Sequence, residues 1–349
     1  MRTEDFNFDL PQELIAQHPA EKRGSSRLLV LDRATGRRSH AMMRDLPSFI
    51  ESGSLMVFND SKVRKARLFG IAVDTGAKVE FLLLHPAEEA DRNGSASSSV
   101  WTAMSSKARK QRVGRLFMFP EKLMGRITAV LPSGEKIIGF DRILDDEYLD
   151  RNGHIPLPPY IRREDDQQDA ERYQTVYAKA IGSAASPTAG LHFTPELLAE
   201  LAKAGVGAEW LTLHVGLGTF LPVRVDTIEE HQMHREWFSV PARTAEAVNR
   251  AKSQGRKIVA VGTTSARTLE SAWTDSGLRP GTSSTDIFIH PGRDFKLVDQ
   301  LFTNFHTPKS TLLMLVSAFA GRELILDTYS EAISLGYRFF SYGDAMLIR

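Results

Sequence analysis

No cysteine occurs anywhere in the 349 residues, which excludes disulfides, thiolate zinc sites, iron–sulfur clusters and cysteine nucleophiles. Long apolar runs are also missing. The most apolar stretch, TLLMLVSAFA, is about half of the ~20 residues that span a bilayer. MRTEDFNFDLPQEL carries acids where a signal peptide has a basic start and an apolar run. A soluble, cytoplasmic protein without a membrane partner is therefore expected. Charge of either sign is scarce in excess: the net value is +1, so a nucleic-acid partner has to be held by a local patch. Three common motifs are absent, namely the phosphate loop G-x-x-x-x-G-K-[ST], the dinucleotide turn G-x-G-x-x-G and the hydrolase elbow G-x-S-x-G. Any chemistry must come from a less generic constellation.

What is present falls into two textures. Between Arg67 and about Asp141 the chain alternates short apolar segments with turn residues: RLFGIAV, AKVEFLLL, VWTAM, RLFMF, GRITAVL and KIIGF. About six short strands with polar links predict a small antiparallel barrel or sandwich. After the stiff connector IPLPPYIRRE, strands alternate with helices: PELLAELAKAG, AEWLTLHV, ARTAEAVNRAKSQG, KIVAV and SARTLESAW. That alternation predicts βαβ units on a mostly parallel sheet. The expected fold is an α/β domain of residues 1–66 and 150–349, its sheet mostly parallel or open-barrel-like, with a small antiparallel β-barrel inserted at 67–149. No internal repeat is visible.

Three corners of the α/β part share one design. In PTAGLHFT, with Thr188, Gly190 and His192, Thr194 is a fitting cap and Pro195 a fitting first helical residue. VAVGTTSARTLES passes from an apolar strand through Thr263, Thr264 and Ser265 into a helix, and TNFHTPKSTLLML places Asn304 and His306 before a Ser310 cap. Helix starts offer free N–H groups and partial positive charge, and in α/β sheets such corners collect where ligands bind. A shared pocket is expected. The strand AEWLTLHVGLGTF adds a fourth corner. Its alternation sets Leu211, Leu213 and Val215 on a core face and Trp210, Thr212 and His214 on the other, ending at Gly216 and Gly218.

HQMHREWF offers His231, His234 and Glu236. Were it helical, these three side chains would suit a zinc ion, although the H-E-x-x-H spacing is lacking; the alternatives are a ligand role without metal and a structural one. SSKARKQRVGR carries Lys107, Arg109, Lys110, Arg112 and Arg115 with no acid among them, and Arg162 and Arg163 lie near the connector. Such runs are either solvated hairpins or phosphate contacts. A metal-dependent hydrolase and a noncatalytic RNA-binding protein both remain open on these grounds.

Longer blocks carry a resemblance. DLPQELIAQHPAEKRGSSRLLVLDRATG, VFNDSKVRKARL, LPPYIRRE…RYQTVYAKAIGSAASPTAGLHFT, TLHVGLGTFLPV, HQMHREWF, VAVGTTSARTLES, TNFHTPKSTLLMLVSAFAG and YRFFSYGDAML together resemble the S-adenosylmethionine:tRNA ribosyltransferase-isomerase family of queuosine biosynthesis. The resemblance runs from end to end and is weakest inside the β module. It implies an α/β catalytic domain bearing a β-barrel. It also implies transfer and rearrangement of the ribosyl group of S-adenosylmethionine onto a 7-aminomethyl-7-deazaguanine at the tRNA wobble position, with loss of adenine and methionine. S-adenosylmethionine is then a consumed substrate. No metal or prosthetic group, and no obligate protein partner, is implied.

Such a reaction needs a base for a C5′ proton beside the sulfonium and an acid for the departing adenine. His192, His214 and His306 are candidates by position, with Asp344 beside Tyr342 in SYGDAM a fourth. Thr263, Thr264 and Ser265 are placed to take the methionine carboxylate and Asn304 to read a base or ribose edge. The basic run and the connector arginines are placed to meet tRNA phosphates.

Overall fold

The computed structural model describes residues 1–87, 98–216, 223 and 225–349. Among these, nine strands form one large sheet. Its centre is four parallel strands in the order Gly207–Leu213, Leu55–Asn59, Ile258–Val261 and Gln300–Asn304. Antiparallel strands Glu236–Val240 and Gly281–Thr285 extend one side. On the other, Ala345–Ile348 runs antiparallel to Gln300–Asn304, then Arg27–Leu31 parallel to it, and Arg38–Met42 closes the edge.

The two innermost strands, Leu55–Asn59 and Ile258–Val261, are buried throughout because both faces of the sheet are covered there. Leu55–Asn59 is buried at every position. Its Leu55 and Val57 join one core with Ile258 and Ala260, while Met56 and Phe58 join another with Val259 and Val261. The first core takes the apolar faces of Ala242–Ser253, Thr263–Ala272, Thr311–Ala320 and Arg322–Ser334; the second takes Leu197 and Leu201 of Pro195–Lys203. TLLMLVSAFA is thus a core helix, capped by Ser310, whose Oγ accepts from Leu313 N at 3.2 Å. Among the described residues no helix is long and apolar enough to cross a membrane.

Six strands between Arg67 and Leu144 form a closed antiparallel barrel, in the order Lys136–Leu144, Ser98–Ser105, Lys78–Pro86, Arg67–Ala72, Leu116–Met118 and Met124–Val130. Phe81, Trp101, Phe117 and Ile138 fill it. Closure removes the open edges that short strands otherwise present. At the junction, buried Arg64 pairs with Asp146 at 2.8 Å and lies over Trp101.

Candidate active site

The parallel strands carry their chain to one end of the sheet, and there three corners meet. The strand Ile258–Val261 turns at Gly262, whose φ of 87° only glycine takes without strain, and enters the helix Thr263–Ala272. Gln300–Asn304 runs on into Phe305–Thr307. A 3-10 turn, Thr188–His192, leads to the helix Pro195–Lys203, where Thr194 Oγ1 accepts from Leu197 N at 3.2 Å. Between these corners lies an open cleft, lined by Thr188, Thr263, Thr264, Asn304 and His306 among others. The polar groups converge as the three helix starts predict.

Asn304 sits at the hinge of the arrangement. Its Nδ2 donates to Phe340 O and to His192 Nε2, both at 3.0 Å, and its Oδ1 is buried without a protein partner. Because His192 Nε2 accepts, its Nδ1 carries the proton and donates to Ser26 Oγ at 2.6 Å. Both ring nitrogens of His192 are therefore engaged. His306 differs: Nε2 meets Thr303 Oγ1 at 2.9 Å. The tautomer in which Nε2–H donates leaves the Nδ1 lone pair without a protein partner. The hydroxyl of Thr264 is likewise buried and unpaired, at a helix start that has no side-chain cap.

Burial lowers His192 and His214 to about 4, His214 with a further push from Arg64, and His306 to about 3. All three are neutral at pH 7. The unfolded chain takes protons near ~6.5 that the folded chain refuses, so the stability they contribute is complete above that value and is lost as pH falls toward about 4. The thermal midpoint should drop between pH 7 and 5, more steeply for the wild type than for His306→Gln. Parallel curves would contradict this assignment.

Other candidates lie off the cleft. Gly190 is packed so that a Cβ would come within 2.1 Å of the Tyr177 hydroxyl, which explains the glycine without a ligand. The hydroxyl of Ser265 donates back to Val261 O at 2.8 Å. Thr212 donates to Asp60 Oδ1 at 2.6 Å. His214 follows the end of its strand, and its ring lies against Gly182, where a Cβ would come within 3.0 Å of it. Its neighbour Val215 lines the cleft instead. Gly216 N donates to Glu236 Oε1 at 2.9 Å, and Gly218 lies outside the described residues.

Glu236 is buried against the Arg267 guanidinium, a cation where a zinc ligand would need a metal. His231 and His234 sit in irregular chain before the strand Glu236–Val240, so the helical spacing a shared ion requires is not formed. His231 packs edge-on against Phe288. Asp344 is buried and turned away: its oxygens accept from Arg27 N at 2.9 Å, Arg27 Nε at 3.2 Å and Arg338 N at 2.8 Å. Tyr342 donates to Asp169 Oδ1 at 2.6 Å. Asp169 also accepts from Arg163 at 2.8 Å. Burial acts to raise the Asp169 carboxyl, but these hydrogen bonds outweigh it and hold it below the ordinary value.

The basic run forms the link between two barrel strands, Ser98–Ser105 and Leu116–Met118, with a short 3-10 turn at Ala108–Lys110. Lys107, Arg109, Lys110 and Arg112 are exposed. Arg115 is not free: it pairs with Asp74 at 3.0 Å. Arg162 is exposed, whereas Arg163 is held by Asp169. If the four exposed loop cations meet RNA phosphates, replacing Lys110 and Arg112 by glutamine should lower the slope of log affinity against log salt by ~0.7–0.9 for each phosphate no longer neutralised. Replacing Arg115 should act on barrel stability. An unchanged slope in the first variant would remove this loop from the RNA surface.

Ser26, Tyr160, Thr303 and Ser341 are polar residues of this region that sequence reading passes over. Tyr160 and Ser341 join hydroxyl to hydroxyl at 2.6 Å on the cleft wall. Phe340, whose carbonyl holds Asn304, has a φ of 72° that side chains rarely adopt. No periodicity marks such residues, because their partners are remote in sequence.

A parallel-centred sheet with a polar cleft at its strand ends and a closed barrel beside it defines a two-module α/β enzyme. The chain belongs to the queuosine biosynthesis protein family, which it matches over residues 3–348. It is 52% identical over 353 residues to an S-adenosylmethionine:tRNA ribosyltransferase-isomerase of Treponema denticola, with all of both chains covered. It is 49% identical to the protein of that name from Clostridioides difficile, again over the full length of both. Among solved structures it is similar to the crystal structure of S-adenosylmethionine tRNA ribosyltransferase from Thermotoga maritima. That likeness has 36% identity and a TM-score of 0.56, covering 99% of this chain and 100% of that one.

Proposed function

We propose that this enzyme transfers and isomerises the ribosyl moiety of S-adenosylmethionine onto the 7-aminomethyl-7-deazaguanine at a tRNA wobble position. The products are epoxyqueuosine-tRNA, adenine and methionine. The observation that carries this reading is the convergence of three helix-start corners on one cleft, in a chain that belongs to the family from end to end. The reading calls for no metal or prosthetic group: S-adenosylmethionine is consumed.

The N–H groups and hydroxyls at Thr263 and Thr264 take the methionine carboxylate, which suits a helix start. His306 is the histidine that lines the cleft with a nitrogen to spare, and it accepts the C5′ proton. His192 acts through Asn304. By engaging Nδ2 it fixes the side-chain flip and aims the unpaired Oδ1, an acceptor for an N–H or O–H of the bound substrate. As the amine of the base bonds to a ribosyl carbon and sheds a proton, the C1′–N bond breaks and adenine leaves with one of the two protons released, while the C5′–S bond breaks and methionine leaves with the sulfur's electron pair restored.

The test is a mixture of purified protein, S-adenosylmethionine and tRNA carrying the aminomethyl deazaguanine. Adenine and methionine are expected in equal amounts, in step with a single mass increase on the tRNA. Release of adenine without that increase, or activity that vanishes with chelators and returns with zinc, would overturn the reading.

A further inference from the structure

A second pocket adjoins the cleft. Ser341 lines both pockets, and His192, bonded to the cleft residue Asn304, lines the second. Four cations surround it: Lys22, Arg23, Arg172 and Arg338. Three of them reach backbone carbonyls, Arg338 only loosely, to His18 O at 3.5 Å. Arg23 donates to Gln174 O at 2.9 Å and Glu171 O at 3.1 Å, and Arg172 to Ala20 O at 2.6 Å and Glu21 O at 3.2 Å. Carbonyls orient a guanidinium but leave its charge uncancelled.

Carboxylates do not cancel that charge either. Asp344 is paired with Arg27, and Asp169 with Arg163. Glu171 acts on Arg23 through space, yet forms no ion pair with it among the described residues. Burial disfavours the Arg23 charge most, and the nearby Arg172 adds a like-charge push against it. Guanidinium forks so placed match the oxygens of a phosphate.

We propose that this pocket binds a phosphodiester of the RNA substrate next to the target nucleotide, anchoring the backbone while the base enters the cleft. The inference rests on the functional reading above. Enzymes that act on a nucleobase extrude it into a pocket and hold the flanking backbone by phosphate contacts. A shared wall sets the two sites side by side, as a base and its own backbone require. A carboxylate is the weaker fit, since the helix start at Thr263 already serves the methionine end and four cations exceed the need of one such group.

The experiment uses the full-length enzyme, saturating S-adenosylmethionine and an anticodon stem-loop RNA containing the aminomethyl deazaguanine. Lys22→Gln with Arg338→Gln is the variant, because neither side chain supports a secondary element. Half-saturation for RNA should rise about tenfold for each charged hydrogen bond to phosphate that the variant removes. The salt slope should fall by ~0.7–0.9 for each phosphate no longer neutralised. Half-saturation for S-adenosylmethionine and the thermal midpoint should stay as in the wild type. A neutral methylphosphonate at one of the two linkages flanking the target should weaken RNA binding to the wild type in the same way, and add nothing in the variant. This second arm needs no mutation.

Unchanged RNA half-saturation and slope would overturn the proposal. So would a rise confined to S-adenosylmethionine, which would make the pocket a carboxylate site. Competition by inorganic phosphate without any methylphosphonate effect would make it a site for the free ion and would also reject the proposal. If the wild type converts no RNA, the functional reading itself fails, and that is seen before any variant is compared.

Discussion

Changing His306 to glutamine is expected to slow a single turnover by ~10²–10⁴-fold, the usual weight of a positioned proton-transfer group. Binding of S-adenosylmethionine should persist, because glutamine keeps a hydrogen-bonding group beside Thr303. The size of the effect follows from two features. His306 lines the cleft and is neutral at working pH, so its free nitrogen can take a proton once bound substrate, with its sulfonium positive charge, lies beside it. One nitrogen is held by Thr303 Oγ1 at 2.9 Å, which fixes the ring for the other. His192 should behave differently. Its nitrogens are both occupied, by Ser26 and Asn304, so His192→Gln should raise half-saturation for substrate more than it lowers the rate at saturation. Adenine release in rapid-quench experiments checks both. An unchanged single-turnover rate in His306→Gln would remove it as the base.

Replacing Arg267 by methionine is expected to destabilise the fold by ~3–5 kcal/mol, the range found when one member of a buried ion pair is removed. Arg267 and Glu236 are each only 3% exposed. Glu236 also accepts from Gly216 N at 2.9 Å, so the pair ties the helix Thr263–Ala272 to the strand Glu236–Val240 and to the turn after Leu213. Replacing both, as Glu236→Leu with Arg267→Met, should recover much of the loss, since apolar groups of similar volume avoid desolvated charge. Urea unfolding midpoints measure this directly. A single variant as stable as the wild type, but with weakened S-adenosylmethionine binding, would instead return Glu236 to the ligand site.

Much of the fold is written in local patterns. Helix starts at Thr194 and Ser310 are legible because a cap acts on residues three positions away. The alternation around Leu211 and Leu213 is legible because a strand has two faces. The same locality makes the corners at Thr188, Thr263 and Asn304 visible as partners for one cleft. Placing a side chain within a corner is another matter. Asp344 reads as a turn carboxylate, yet Arg27, 317 positions earlier, holds it. Arg115 reads as one of five loop cations until Asp74 claims it from a neighbouring part of the barrel. Ser26 lies far along the chain from His192 and leaves no trace in spacing. Charges and hydrogen bonds are settled by pairing across the tertiary structure, and a single sequence does not display that pairing.

We propose that S-adenosylmethionine sits in the cleft between Thr188, Thr264, Asn304 and His306. A crystal structure with a non-transferring analogue, its sulfonium replaced by a carbon bearing an ammonium, tests it most directly. The carboxylate is expected on the N–H groups of Thr263 and Thr264, with the ribose in reach of His306 and Asn304. An analogue seated beside His231 and His234, or against the barrel, would contradict it.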